Sequence, residues 1–142
     1  MIYSKKINEI LRFIYKAHDG AVDKVGVPYV FHPLAVAEQM DDENSTILAL
    51  LHDVVEDTEY TYQDILKLGV PLEVVEALRL LTHEREEDYF DYIKRIKTNS
   101  LATKVKLGDI KHNSNLTRIE NVTEEDLLRV EKYKKAIEYL NS

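Results

Sequence analysis

The sequence contains no cysteine and no tryptophan among its 142 residues, and it has only four glycines and three prolines. The lack of cysteine excludes disulfide bonds, thiolate metal ligands and thiol nucleophiles, and it fits a reducing compartment. No apolar run reaches the length of a membrane-spanning helix, and residues 1–9 lack the apolar core of a signal peptide. We therefore expect a cytoplasmic protein that has no membrane segment.

Basic residues are outnumbered by acidic ones, 19 against 26, which gives a formal net charge of −7 at pH 7. Sequence-independent binding of nucleic acid depends on Lys and Arg, so we do not expect a nucleic acid partner. The same charge would repel a polyphosphate unless a metal and nearby lysines reverse its sign locally. With 44% hydrophobic residues, we expect residues 1–142 to form one globular domain with its own core. One sequence leaves the oligomeric state open.

Apolar residues recur at helical spacing along the whole chain, and no stretch alternates as a half-buried strand would. Capping-box spacing adds helix starts at Thr61 with Asp64 and at Thr123 with Asp126. The predicted helices lie over 7–14, after Pro33, over 45–56 and 62–68, after Pro71, over 89–97 and 101–113, and after Thr123. The fold class predicted from these patterns is all-α, a single compact multi-helix domain.

Four short pieces carry the residue types of a metal-dependent hydrolase: His32-Pro33, His52-Asp53, Glu56-Asp57, and Asp109 with Asn113. Divalent transition metals take imidazole and carboxylate ligands, and ester hydrolysis also needs a carboxylate that exchanges protons with water. His52 and Asp53 fall inside the apolar segment 45–56, where an unpaired polar pair would be costly. On a continuous helix Glu56 would share a face with His52, four residues away.

Each piece has an ordinary structural explanation when it is taken alone. Pro33 suits the first turn of a helix whatever His32 does, and a buried His-Asp pair can simply satisfy its own hydrogen bonds. Asp109 and Asn113 could form a solvated helix face or a cap. The apolar surroundings of the His-Asp pair favour a functional cluster over these separate explanations. The basic residues around Asp109 are either surface groups or a local positive charge: Lys104, Lys106, Lys111 and Arg118.

Five stretches of the sequence match motifs of one known family and occur in the same order as in that family. They are AHDG at 17–20, GVPYVFHPLAVA at 26–37, ALLHDVVEDT at 49–58, VKLGDIKHN at 105–113 and RVEKY at 129–133. On these stretches the chain resembles the HD-domain metal-dependent phosphohydrolases. Among them it is similar to the hydrolase domain of RelA/SpoT-type alarmone enzymes and to the small stand-alone alarmone hydrolases.

The resemblance implies a compact all-helical HD domain that holds one Mn²⁺, or another divalent transition metal, through His32, His52, Asp53 and Asp109. It implies that Glu56 and Asp57 orient or deprotonate the attacking water. It implies substrate contacts from Lys24, Asn113 and Tyr133. The implied reaction removes pyrophosphate from the 3′ position of guanosine 3′,5′-bis(diphosphate), a small-molecule nucleotide substrate.

The chain departs from the family pattern where the nucleotide base should bind. Asp23 stands where the family usually has a basic residue that packs on guanine, and Val25 replaces a small polar residue. Asn115 and Leu116 stand where Arg and Thr are common. We therefore expect loose base selectivity. Two alternatives stay open: hydrolysis of another nucleotide phosphate or pyrophosphate, and a non-catalytic nucleotide-binding domain.

Overall fold

The computed structural model describes residues 1–142, except for the side chain of Arg118. The helices are α1 Lys5–Ala17, α2 Phe31–Glu38, α3 Glu43–Leu51, α4 Val54–Asp57, α5 Tyr62–Lys67, α6 Leu72–Leu81, α7 Tyr89–Lys97, α8 Ser100–Asn113 and α9 Glu124–Asn141, with a 3₁₀ turn at Leu116–Arg118. Within the described chain no strand forms, and one isolated bridge joins Val22 to Pro28. The predicted all-α fold is confirmed.

None of the described helices is long and apolar enough to cross a membrane. The cytoplasmic location and the assignment of residues 1–142 to one domain stay predictions. Both predicted capping boxes are present, because Thr61 pairs reciprocally with Asp64 at the start of α5 and Thr123 does so with Asp126 at the start of α9.

Helix α3 is the central element of the fold. All of its residues from Ser45 to Leu51 are buried, and it packs against α1, α2, α6 and α8. The Asp42 side chain accepts a hydrogen bond of 2.8 Å from the Ser45 amide, which satisfies a free donor of the first turn. Because α3 is buried on every side from Ser45 to Leu51, its C-terminal end places His52 in the protein interior.

The single helix predicted over 45–56 is wrong: α3 and α4 are separate helices that meet at His52 and Asp53. Asp53 has φ −105° and ψ −1°, which lies in the sparsely populated region between helix and strand. Next to it, Nδ1 of His52 lies 2.6 Å from the carbonyl oxygen of Ala49. A side chain that bonds the last-turn carbonyl competes with the helical ladder. His52 and Glu56 therefore do not lie on one continuous helix, and helical spacing does not place them on a shared face.

Helix α8 approaches α2 closely because Gly108 has no side chain. A Cβ atom at Gly108 would lie 3.4 Å from Cγ1 of Val36 on α2 and 2.9 Å from Cε of Met40, so the flexible end of the Met40 side chain would have to move. Nε2 of Gln39 also donates to the Gly108 carbonyl oxygen at 3.0 Å. This contact between helices brings Asp109, the next residue, beside His32 on α2.

Candidate metal centre and active site

The four predicted metal ligands converge from separate parts of the fold. His32 lies in the first turn of α2, His52 ends α3, Asp53 precedes α4, and Asp109 is buried on α8. Nε2 of His32 lies 2.9 Å from Oδ1 of Asp109 and 3.5 Å from Oδ2 of Asp53. Nε2 of His52 lies 3.1 Å from Asp53 Oδ2 and 3.4 Å from Asp109 Oδ1. The ligand atoms of the two histidines and Asp109 lie within 4.8 Å of one another.

The chemistry of these donors fits a divalent transition metal. Because Nδ1 of His52 contacts the Ala49 carbonyl oxygen at 2.6 Å, we infer that Nδ1 carries the proton of the neutral ring. The buried Nε2 of His52 makes no hydrogen bond of suitable geometry with any described residue. The carboxylates of Asp53 and Asp109 nevertheless lie within ion-pair distance of it. A lone pair that faces carboxylate oxygens requires a proton or a cation between them. Imidazole and carboxylate donors together suit such a cation.

The carboxylates also control the protonation of His52. Burial disfavours the imidazolium, but the charges of Asp53 and Asp109 outweigh it and raise the pKa of His52 well above its usual value. Burial likewise disfavours the Asp109 carboxylate, but Lys106 and the two imidazoles hold the pKa of Asp109 well below its usual value. A metal must therefore displace a proton that the site holds firmly.

Two groups hold the ligands in place: Tyr29, which spacing along the sequence did not reveal, and His112, whose position on the helix of Asp109 favours a supporting or packing role over ligation. Oη of Tyr29 donates to Oδ2 of Asp53 at 2.6 Å, the same oxygen that faces the imidazoles. Nδ1 of His32 and Nδ1 of His112 lie 2.7 Å apart, so one of these rings donates to the other. Such partners fix the orientation of metal ligands and tune their affinity.

Asp109 is held from both sides by residues of its own helix. Nζ of Lys106 donates to Oδ2 at 2.8 Å, and Nδ2 of Asn113 donates to Oδ1 at 3.0 Å. Lys106 is only 12% exposed, so it provides the local positive charge that the sequence left undecided. Lys104 pairs instead with the carboxylates of Asp41 and Asp42 at the start of α3. The side chain of Arg118 lies outside the described part of the chain.

The two predicted acid–base carboxylates lie at the rim of this cluster. Glu56 and Asp57 both reach solvent, and an oxygen of Glu56 accepts a hydrogen bond from the backbone N–H of His83. Burial, together with the charge of Asp53, raises the pKa of Glu56 and also that of Asp57. A carboxyl group whose pKa moves toward neutrality can exchange protons with water more readily.

A pocket of ≈ 300 Å³ opens beside His32, which is a size suited to a small ligand. The three predicted substrate residues, Lys24, Asn113 and Tyr133, all line it. Arg129 lines it as well, one helical turn from Tyr133, and the sequence reasoning assigned Arg129 no role of its own. Oδ1 of Asp126 lies 3.1 Å from the Lys24 ammonium and 3.2 Å from the Arg129 guanidinium, so it partly neutralises both cations.

Asp23, the main departure from the family pattern, also lines this pocket. Its Oδ1 accepts hydrogen bonds from the backbone N–H groups of Val25, at 2.9 Å, and Val27, at 3.0 Å. Aspartate commonly closes turns in this way. Asp23 therefore shapes the loop before α2 in addition to placing a negative charge near the pocket.

Comparison with known proteins adds sequence relatives and a structural neighbour, whereas no protein-family model matches the chain. The chain is 32% identical over 123 residues to the bifunctional (p)ppGpp synthase/hydrolase SpoT of Escherichia coli, which covers 77% of this chain and 18% of that protein. It is 29% identical over 144 residues to the guanosine-3′,5′-bis(diphosphate) 3′-pyrophosphohydrolase of Aquifex aeolicus. This match covers 94% of this chain and 20% of that protein. The chain thus spans about a fifth of the length of these relatives.

Among solved structures, a match extends over nearly the whole chain. The matched protein is described as a metazoan ortholog of SpoT that hydrolyses ppGpp and plays a role in starvation responses. The TM-score is 0.79 at 27% sequence identity, and the match covers 99% of this chain and 88% of the other. The similarity therefore extends over the helices that supply every residue of the candidate site.

Proposed function

We propose that this chain, which is an HD-domain protein of the RelA/SpoT hydrolase-like type, is a divalent-metal-dependent 3′-pyrophosphohydrolase of guanosine 3′,5′-bis(diphosphate). The observation that carries the proposal is the convergence of His32, His52, Asp53 and Asp109 beside the pocket of ≈ 300 Å³ that Lys24, Asn113 and Tyr133 line. The activities by which these relatives are known support the same substrate. The donor set suits several divalent ions. Among them we propose Mn²⁺, the metal that the family resemblance implies.

In this proposal His32, His52, Asp53 and Asp109 hold the metal, and a bound divalent cation would supply Lewis acidity toward the phosphoryl oxygens. Water adds across the bond between the 3′ oxygen and phosphorus, leaving pyrophosphate and guanosine 5′-diphosphate.

The other residues supply proton transfer and binding. Glu56 takes a proton from the attacking water, and Asp57 orients that water or replaces Glu56 as the base. Lys24 and Arg129 attract the phosphates, and they share Asp126 as a counter-charge. Tyr133 and Asn113 line the pocket wall. Asn113 also donates to Asp109, so it links the pocket to the metal ligands.

The test is a turnover assay of the Mn²⁺-loaded protein on a panel of nucleotide phosphates, with separate detection of phosphate and pyrophosphate. We expect pyrophosphate release from guanosine 3′,5′-bis(diphosphate). Glu56→Gln should keep the metal and lose roughly 10²-fold in rate, as for a lost general base. Glu59→Gln is the matched control, because Glu59 is exposed and lies three residues away.

Three results would revise the proposal. Release of phosphate alone, or faster turnover of another nucleotide, would point to a different phosphohydrolase. Tight nucleotide binding without turnover would indicate a non-catalytic binding domain. Wild-type turnover by Glu56→Gln with the metal retained would leave Asp57 as the base.

A further inference from the structure

The loop between α6 and α7, residues 82–88, is fastened to the protein by one arginine of α7. Nε of Arg95 donates to Oε2 of Glu87 at 2.5 Å, and Nη2 donates to Oε1 at 2.6 Å. The same guanidinium reaches the carbonyl oxygens of Leu80, at 3.5 Å, and Thr82, at 3.4 Å. A two-pronged ion pair with additional carbonyl contacts restricts the loop more than a single charge contact would.

The fastened loop holds His83 from several sides. Nε2 of His83 lies 2.8 Å from the carbonyl oxygen of Glu87. Its ring stacks on Tyr92, with centroids 4.5 Å apart and planes inclined by 20°. Tyr92 is itself buried, and its hydroxyl donates to the Leu81 carbonyl oxygen at 2.6 Å. These contacts therefore hold the backbone N–H of His83 in a fixed position.

That N–H donates to the Glu56 carboxylate, and no second hydrogen-bond donor reaches this carboxylate within the part of the chain that the structure describes. Glu56 lies on the four-residue helix α4, and its partly covered side chain still reaches solvent. Without a partner its terminal torsions would be free to turn toward solvent. The His83 contact therefore decides where the carboxylate lies relative to the metal ligands.

We propose that the Arg95–Glu87 ion pair is a clamp that positions Glu56 for catalysis through the backbone of His83. This inference rests on the proposed function, since it requires Glu56 to act on the attacking water. Arg95 touches neither the pocket nor the metal ligands, so its role is that of a positioning residue. The clamp stabilises one placement of the carboxylate, and a displacement of about 1 Å at a reacting group can cost roughly 10²-fold in rate.

The kinetic test compares variants of Arg95 in the Mn²⁺-loaded protein. Arg95→Met should lower kcat about tenfold or more, with KM within about twofold and metal content unchanged, as expected when positioning of a reacting group is lost. Arg95→Lys should recover part of the loss, because an ammonium can pair with one oxygen of Glu87 but cannot form both prongs. Arg79→Met is the matched control, since exposed Arg79 stacks on Tyr62 at 4.2 Å.

A double-mutant cycle separates this role from general stabilisation. If Arg95 acts through Glu56, Arg95→Met should cause almost no further loss of kcat in a Glu56→Gln background. The same fold loss in both backgrounds would overturn the proposal. Equal losses in Arg95→Met and Arg79→Met would overturn it as well.

Hydrogen–deuterium exchange of residues 82–88 tests the clamp without any substrate. We expect Arg95→Met to speed exchange in this loop while the melting temperature shows that the protein stays folded, and unchanged exchange would refute the clamp. Wild-type inactivity toward every nucleotide would instead refute the proposed function and the catalytic role of Glu56. The exchange result would then still decide whether the clamp exists, so the two failures are distinguishable.

Discussion

Replacing Tyr29 by Phe removes one hydroxyl from behind the candidate metal ligands and changes little else. Oη of Tyr29 donates to Oδ2 of Asp53 at 2.6 Å. The ring lies 5.2 Å from that of His18 and 5.8 Å from that of His32 between centroids, and Phe preserves these contacts. The substitution therefore removes the charge-assisted hydrogen bond to Asp53, together with the contact of the hydroxyl with the neighbouring Asp57 carboxylate.

The expected loss follows from the type of bond. A hydrogen bond to a charged group contributes about 1.5–3 kcal/mol. Loss of a partner that orients a metal ligand lowers metal affinity by roughly 10- to 100-fold, which corresponds to about 1.4–2.8 kcal/mol. The two ranges overlap, so we expect the Mn²⁺ dissociation constant of Tyr29→Phe to rise by about 10- to 100-fold.

The assay is a titration of metal-free protein with Mn²⁺ in competition with a chelator of known affinity. Burial and the nearby carboxylates raise the pKa of Tyr29 far above its usual value, so the hydroxyl stays a donor and the effect should persist from about pH 6 to 9. Tyr15→Phe is the control, because Tyr15 is 70% exposed on α1. A dissociation constant within about twofold of wild type for Tyr29→Phe would refute the orienting role, because the smallest effect expected of such a partner is tenfold.

Further predictions concern the metal, its protons and the base. His52→Ala and Asp109→Ala should each abolish metal binding and activity, since each removes one donor of four; full metal occupancy of purified Asp109→Ala by elemental analysis would contradict this. Because the pKa of His52 is raised in the folded protein, protonation of its imidazole stabilises the metal-free fold. This stabilisation is complete below pH about 6.5 and is lost as the pH rises through the raised pKa. Metal binding at pH 7 should therefore release about one proton, measurable by calorimetry in buffers of different ionisation enthalpy, and zero release would disprove it. Because Asp23 cannot stack on a base as a cation does, guanosine and adenosine bis-diphosphates should react at comparable rates, and a strong guanine preference in parallel assays would rule this out.

Local sequence patterns were sufficient for much of the architecture. Helical spacing predicted the all-α fold, and the capping boxes at Thr61 and Thr123 mark the starts of α5 and α9. These features depend on residues three or four positions apart, which a sequence displays directly. The same kind of pattern failed at His52 and Asp53, where the chain leaves the helix. Apolar spacing continues across that break, and the side-chain bond from His52 to the Ala49 carbonyl oxygen leaves no mark in it.

The sequence by itself determined the chemical types of the candidate ligands. The imidazoles of His32 and His52 and the carboxylates of Asp53 and Asp109 are donors that divalent transition metals take. Only the tertiary structure decided what surrounds them. Tyr29 meets Asp53 across 24 positions, and Lys24 meets Asp126 across 102. The contact between Arg95 and the loop that holds Glu56 likewise depends on how α7 packs. Contacts between distant residues arise from the packing of whole helices, and local propensity carries no information about which side chains that packing brings together.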